Sequence, residues 1–211
     1  MIEVRKIAGA LGAEVHGIDL SQPLSTSAAA SIRAAWLEHL VIFVHDQKLT
    51  PEQFLRFART LGEPMEYPLL KGLPDFPEIT EVKKLEHERA NFGGIWHSDT
   101  TYLERPPMGS MLYAREVPPF GGDTLFANQY LAFETLSTGM QRMLEGAIAL
   151  SSSAKADATR TREDRVKAQG RKDARAEYLA EQPVVRTHPE TGRKALYVNV
   201  AHTVRFKDMT E

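Results

Sequence analysis

The sequence predicts a mainly β protein with flanking helices, an α+β chain. Short runs of apolar residues recur between Gly- and Pro-rich breaks, and 14 Gly and 12 Pro are spread over 211 residues. Between these runs lie a few stretches with helical periodicity and helix-start signatures. The amino-terminal third shows both kinds. Residues 2–8 and 13–18 read as strands around a turn at Gly9–Gly12. Ser27–Leu40 carries Ile32, Trp36 and Leu40 four apart, which predicts an amphipathic helix. Val41-Ile42-Phe43-Val44 is wholly apolar and predicts a strand buried on both faces. Thr50-Pro51-Glu52-Gln53 opens a second helix: Thr50 caps, Pro51 suits the first turn, and Gln53 completes a capping box. That helix turns Phe54, Phe57, Ala58 and Leu61 inward and stops at Gly62.

The middle of the chain alternates loops with short strands. Residues 63–77 hold four prolines and read as a loop over the scaffold, with Tyr67 and Lys71 as candidates for an active-site mouth. Glu78–Val82 and Met108–Ala114 read as strands. Val117-Pro118-Pro119-Phe120-Gly121-Gly122 is a turn, because Pro removes donors and Gly relaxes the backbone; it delivers Asp123-Thr124 to a further strand. Gln129–Leu136 and Thr138–Leu144 read as helices, Gly146–Leu150 as a strand, and Pro183–Thr187 with Ala195–Val198 as a hairpin. Residues 151–182 differ: they are charged and Ala-rich, and read as a helical or mobile insert, either a lid or a passive surface helix.

Composition excludes several classes. A length of 211 residues, 42% hydrophobic and 26% charged, suits one globular domain, here 1–211. A formal net charge of −2 offers no nucleic-acid surface. The absence of Cys removes disulfides and thiolate metal sites. No run after Met1 is apolar and long enough for a signal peptide or a membrane span, so a cytoplasmic protein without a membrane partner is expected.

The chemistry gathers in Asn91–Tyr102, where His97 and Asp99 stand two apart. On an extended strand such side chains share a face, so an imidazole nitrogen and a carboxylate oxygen can meet at one point. That is two thirds of the two-His-one-carboxylate face that holds non-haem Fe(II). Among 28 acidic residues and seven His, one His-x-Asp is a weak signal alone. The ordered set Trp96-His97-Ser98-Asp99, Pro106-Pro107, Gly121-Gly122-Asp123-Thr124, Arg186-Thr187-His188-Pro189, Gly192-Arg193-Lys194 and Val198-Asn199 is far more specific. Together these segments resemble the taurine/2-oxoglutarate dioxygenase (TauD/TfdA-type) family, which includes 2,4-dichlorophenoxyacetate and alkylsulfate dioxygenases.

The resemblance covers nearly the whole chain and implies a double-stranded β-helix, or jelly roll. It implies Fe(II) held by His97 and Asp99, with 2-oxoglutarate as cosubstrate and O2 as oxidant. Thr124 would donate a hydrogen bond to a 2-oxoglutarate carboxylate. Asn91 and His202 would meet substrate; His202 stands where the taurine enzymes carry a pocket aromatic, and it is also a weaker candidate for a ligand. His188, before Pro189 in a turn, reads as structural. The expected reaction hydroxylates a small organic acid such as a sulfonate or alkyl sulfate, releasing succinate and CO2. Homodimers and tetramers are common among such enzymes, which leaves homo-oligomer formation open. The family's third iron ligand is a His nearer the carboxyl terminus, followed about ten residues on by an Arg for the distal carboxylate. Neither occurs before Glu211, and the expectation is a jelly roll incomplete at this carboxyl end. A truncated or inactive relative with a binding role, and a zinc hydrolase built on the same pair, are the alternatives.

Overall fold

The structure is a computed structural model, and it describes residues 2–87, 93–155, 170–171 and 177–210. The chain divides into two compact units, Met1–Pro64 with Ser110–Ala132, and Met65–Gly109 with Phe133–Glu211.

In the first unit β1 (Glu3–Lys6) runs antiparallel to β2 (Ala13–His16), and β3 (Ile42–Phe43) lies parallel on the other side of β2. Strand β2 shows the period-two alternation of a half-buried strand. Ala13 and Val15 are buried, while Glu14 and His16 face outward and pair at 3.0 Å. Helix α1 (Thr26–His39) starts where the Ser25 hydroxyl accepts the Ala28 N–H. Helix α2 (Pro51–Leu61) has the full capping box: the Gln53 amide N–H reaches Thr50 Oγ1 at 3.3 Å, and Gln53 Oε1 accepts the Thr50 N–H at 2.8 Å. Ile32 and Ala35 are the buried positions of α1, and Leu55 and Phe57 those of α2. Leu20, Ile32, Leu49 and Phe57 form the core of this unit, with Phe54, Met111 and Tyr113 packed against it.

Two sequence expectations fail here. The apolar run 41–44 forms a two-residue strand only, and it is not buried on both faces: Phe43 is exposed. Sheet order puts β3 at an edge, so only β2 flanks it among the described residues, and Phe43 keeps no strand on its outer side. Met108–Ala114 and the segment entered at Asp123-Thr124 are not strands. Met111 and Tyr113 do turn to the core while Leu112 between them is exposed, as in an extended chain. Tyr113 is anchored by its hydroxyl, which accepts the Leu49 N–H at 3.0 Å and donates to the Gln47 carbonyl at 3.2 Å. Side-chain anchoring, not a ladder, holds that segment.

In the second unit β4 (Ile148–Ser152) is central, with β5 (Leu179–Pro183) and β8 (Thr203–Phe206) antiparallel on either side. Strands β6 (Val185–Thr187) and β7 (Lys194–Leu196) make the expected hairpin. In its turn the His188 Nδ1 accepts the Glu190 and Thr191 N–H groups, a structural role. Helix α3 (Gln129–Glu134) crosses from the first unit into the second, and α4 (Thr138–Glu145) is capped by Ser137. The core is Phe133, Leu144, Ala149, Val184 and Val185, with Leu196 and Phe206 against it. Both ends of the charged stretch 151–182 prove to be strand, in β4 and β5; residues 156–169 and 172–176 of that insert lie outside the described residues. Glu78–Val82 is not a strand. The chain there folds into tight turns, with the Ile79 N–H on Phe76 O and the Leu73 N–H on Ile79 O, and those groups are thereby lost to any ladder. Strand β8 was not expected. Its pairing with β4 shifts register between Leu150 and Ser151, so that Leu150 faces Arg205 but Ser151 faces Thr203. A bulge of this kind re-aims the strand end, and His202 sits at that end.

Candidate metal centre

His97 and Asp99 lie in the second unit, in a loop that runs into a turn and not on a strand. The strand expectation for this segment fails because Thr100 takes φ +49, a left-handed conformation that no pleated strand accommodates. The turn has a clear anchor: Thr101 is fully buried, Tyr102 is 2% exposed, and the Leu103 N–H closes back on Thr100 O at 2.9 Å. The Gln182 amide donates to Leu103 O at 2.7 Å, and the Asn199 amide reaches Thr101 Oγ1 at 3.5 Å. The Tyr102 hydroxyl donates to that of Tyr67 at 3.3 Å.

Despite the wrong local structure, the two predicted side chains converge. His97 Nε2 lies 3.2 Å from Asp99 Oδ1, with the side chains 33% and 51% exposed. On the other side of the ring, Nδ1 is 2.8 Å from the Ile95 carbonyl. A carbonyl only accepts, so Nδ1 carries a proton; Nε2 donates to the carboxylate when the ring is charged and presents a lone pair to it when the ring is neutral. Two lone-pair atoms this close need a proton or a cation between them. Metal–nitrogen and metal–oxygen bonds of about 2.0–2.2 Å at roughly a right angle separate their donors by about 3 Å. The separation is thus compatible with two donors on one metal ion, and the Ile95 carbonyl is placed where an outer partner would fix a ligating imidazole's tautomer. Among the described residues, no group of three His, Cys, Asp or Glu forms a cluster able to hold a metal.

Around the pair stands a wall of aromatic rings. His202 packs its ring edge-on to His97 with centroids 6.5 Å apart, and Tyr102 lies against His202 at 4.9 Å and Tyr178 at 6.1 Å. His202 is held rigidly: its N–H reaches Asn199 Oδ1 at 2.9 Å, its carbonyl accepts the Ser152 N–H at 2.9 Å, and Thr203 bonds back to Asn199. Its Nδ1 is buried without a hydrogen-bond partner. Val198-Asn199 stands out in the sequence as a motif, but its pairing with Thr101 does not, because that contact spans nearly half the chain.

The titrations follow this geometry. The Asp99 carboxylate holds the His97 imidazolium above the usual histidine range, against the opposing effect of burial. Burial pushes His202 down, and the neighbouring His97 adds to it. Burial also raises the Tyr102 and Tyr67 hydroxyls. In the metal-free protein the raised His97 value stabilises the fold at low pH, and that contribution fades as pH rises through the folded-state value. Asp99→Asn is expected to lower the His97 midpoint in an NMR titration; an unchanged midpoint would show that the carboxylate does not act on the ring.

The remaining predicted residues are placed as follows. Thr124 belongs to the first unit and is exposed, just after Gly121 and Gly122, both with positive φ. Asn91 lies outside the described residues. Tyr67 accepts a hydrogen bond from the Tyr102 hydroxyl at 3.3 Å.

The model of the taurine catabolism dioxygenase TauD, TfdA family matches residues 3–211. The chain belongs to the TauD/TfdA family. Within that family it is 33% identical to an alkylsulfatase of Acinetobacter baylyi over 202 residues, covering 92% of this chain and 62% of the relative. It is 31% identical to an alpha-ketoglutarate-dependent sulfate ester dioxygenase of Pseudomonas putida, covering 92% and 65%. The chain thus spans about six-tenths of the length of these curated relatives. Among solved structures, a taurine dioxygenase from Burkholderia xenovorans superposes with a TM-score of 0.80 at 31% identity, covering 99% of this chain and 67% of that one.

Proposed function

We propose that this TauD/TfdA member acts as an Fe(II)- and 2-oxoglutarate-dependent dioxygenase that hydroxylates a small organic acid, a sulfate ester or sulfonate, on a jelly-roll scaffold. The observation that carries this reading is the approach of His97 Nε2 to Asp99 Oδ1 at 3.2 Å in a family whose named members include sulfate ester dioxygenases.

In this reading His97 and Asp99 would hold Fe(II), which with O2 and 2-oxoglutarate would supply the oxidation that hydroxylates a substrate C–H bond with release of succinate and CO2. The protein's own residues bind, orient and exclude water. Ile95 keeps the His97 proton on Nδ1, so Nε2 stays free to ligate. Thr124, inside Gly121-Gly122-Asp123-Thr124, donates its hydroxyl to a cosubstrate carboxylate; that assignment rests on the motif. Tyr102, Tyr178 and His202 form an aromatic wall beside the ligands, and Asn91 and His202 meet the substrate. A carbon hydroxylated next to a sulfate or sulfonate group is unstable and expels the sulfur oxyanion, leaving an aldehyde.

The test is a panel of alkyl sulfates and alkyl sulfonates, with succinate and sulfur oxyanion measured together. Release of both in equal amounts, dependent on Fe(II), O2 and 2-oxoglutarate, is expected with at least one acid. Sulfate release in anaerobic buffer without 2-oxoglutarate would overturn the reading in favour of hydrolysis.

A further inference from the structure

Gly93 takes φ +70, a left-handed conformation that side chains disfavour, four residues before His97. The reason lies in what its bare Cα faces. A Cβ built on Gly93 would stand 3.1 Å from His97 Cε1 and 3.6 Å from Nε2. Carbon atoms pack best at about 3.5–4.0 Å, so a methyl group there would press into the ring. The pressed edge is the one between the two nitrogens, beside the ligating atom.

The ring is held at both of its nitrogens. Its Nδ1 is held by the Ile95 carbonyl at 2.8 Å, and its Nε2 faces Asp99 Oδ1 at 3.2 Å. A shift of the ring that clears a Cβ at position 93 moves it within those two contacts and turns Nε2 from its present direction. The loop thus grips the imidazole on three sides: a carbonyl on Nδ1, a carboxylate at Nε2, and bare backbone against Cε1.

We propose that Gly93 is a positioning residue, and that its missing side chain sets the angle at which His97 presents Nε2 to the metal. The inference rests on the reading of His97 as a ligand. It predicts that Gly93→Ala weakens Co(II) binding, followed by calorimetry on the purified protein, by about 10- to 100-fold, the range for losing an outer partner of a metal ligand.

Gly192 separates the ring contact from backbone cost. It has φ +68 and nothing within 4 Å of its Cβ position, so Gly192→Ala meets the same left-handed penalty without touching His97. That variant keeps the parent Co(II) affinity. Gly93→Asn is the second arm: Asn enters the left-handed region more readily than Ala, so folding is eased while the Cβ remains, and affinity stays low.

A readout without metal accompanies these. In imidazole nitrogen–proton NMR spectra of the metal-free protein, the His97 Nδ1–H signal moves in both Gly93 variants and stays in place in Gly192→Ala. Parent-like Co(II) affinity and an unmoved His97 signal in Gly93→Ala and Gly93→Asn would overturn the proposal. So would an equal loss of affinity in Gly192→Ala. Failure of the underlying reading looks different: His97→Ala would then bind Co(II) as tightly as the parent.

Discussion

His97→Ala is expected to remove substrate-coupled succinate formation by more than about 100-fold, beyond the upper end seen when a mere outer partner of a metal ligand is lost. The same variant is expected to melt within about 2 °C of the parent, because substitutions of partly exposed side chains away from core features change stability by about 0.5 kcal/mol or less. His97 meets that condition: a third of its side chain is exposed, and its bonds are to Ile95 O and Asp99 at the surface. A large loss of turnover with an intact melt is the signature of a ligand, since a structural histidine would shift both together. Turnover retained at parent level in His97→Ala would remove the metal pair from the mechanism altogether. Comparing kcat at saturating Fe(II) sharpens the reading: added metal that restores full kcat assigns His97 to affinity alone, whereas a kcat that stays low assigns it to the geometry of the reacting centre.

The sequence was most legible where structure is local. The capping box at Thr50 and Gln53 joins residues three apart, and it forms as read. The His188 turn and the hairpin around it follow the same logic. Errors arose where partners are distant. An apolar run such as 41–44 carries no mark of whether a strand will sit inside or at the edge of a sheet, and here order β1-β2-β3 decides it. Strand β8 pairs with β4 across about fifty residues, and Thr-Val-Arg-Phe alone gives little reason to expect it. The His97–Asp99 pair is the instructive case. A separation of two suits the pleat of a strand, and the side chains do converge, but beside a turn whose left-handed Thr100 no periodicity reveals. The spacing is compatible with both geometries, so the convergence of the two side chains does not depend on the backbone being a strand. The aromatic wall was half visible: His202 stood out by departing from a family aromatic, whereas Tyr102 passed as an ordinary residue because its contacts reach Tyr67, Tyr178 and His202 from far along the chain.

Tyr102→Ala is expected to destabilise the second unit by about 3–5 kcal/mol, the range for truncating a fully buried aromatic. The residue is 2% exposed and its ring is flanked by His202 and Tyr178. Tyr102→Phe keeps the ring and loses only the hydroxyl bond to Tyr67 at 3.3 Å, so it is expected to cost about 1 kcal/mol, the usual net value of one neutral hydrogen bond. For a chain of this size the two losses correspond to melting shifts of roughly 6–20 °C and 2–4 °C. Function should follow the ring. Thr100, Thr101 and Tyr102 anchor the turn that carries Asp99, and His202 leans on the same ring while facing His97. Removing the ring frees Asp99 from one side and His202 from the other, so metal affinity falls with stability in Tyr102→Ala and is kept in Tyr102→Phe. Calorimetric unfolding and Co(II) titration of both variants check this. If Tyr102→Ala unfolds like the parent, the turn is held by Thr101 and Gln182 alone. If Tyr102→Phe loses metal as Ala does, the hydroxyl pair with Tyr67, and not the packed ring, sets the position of the carboxylate.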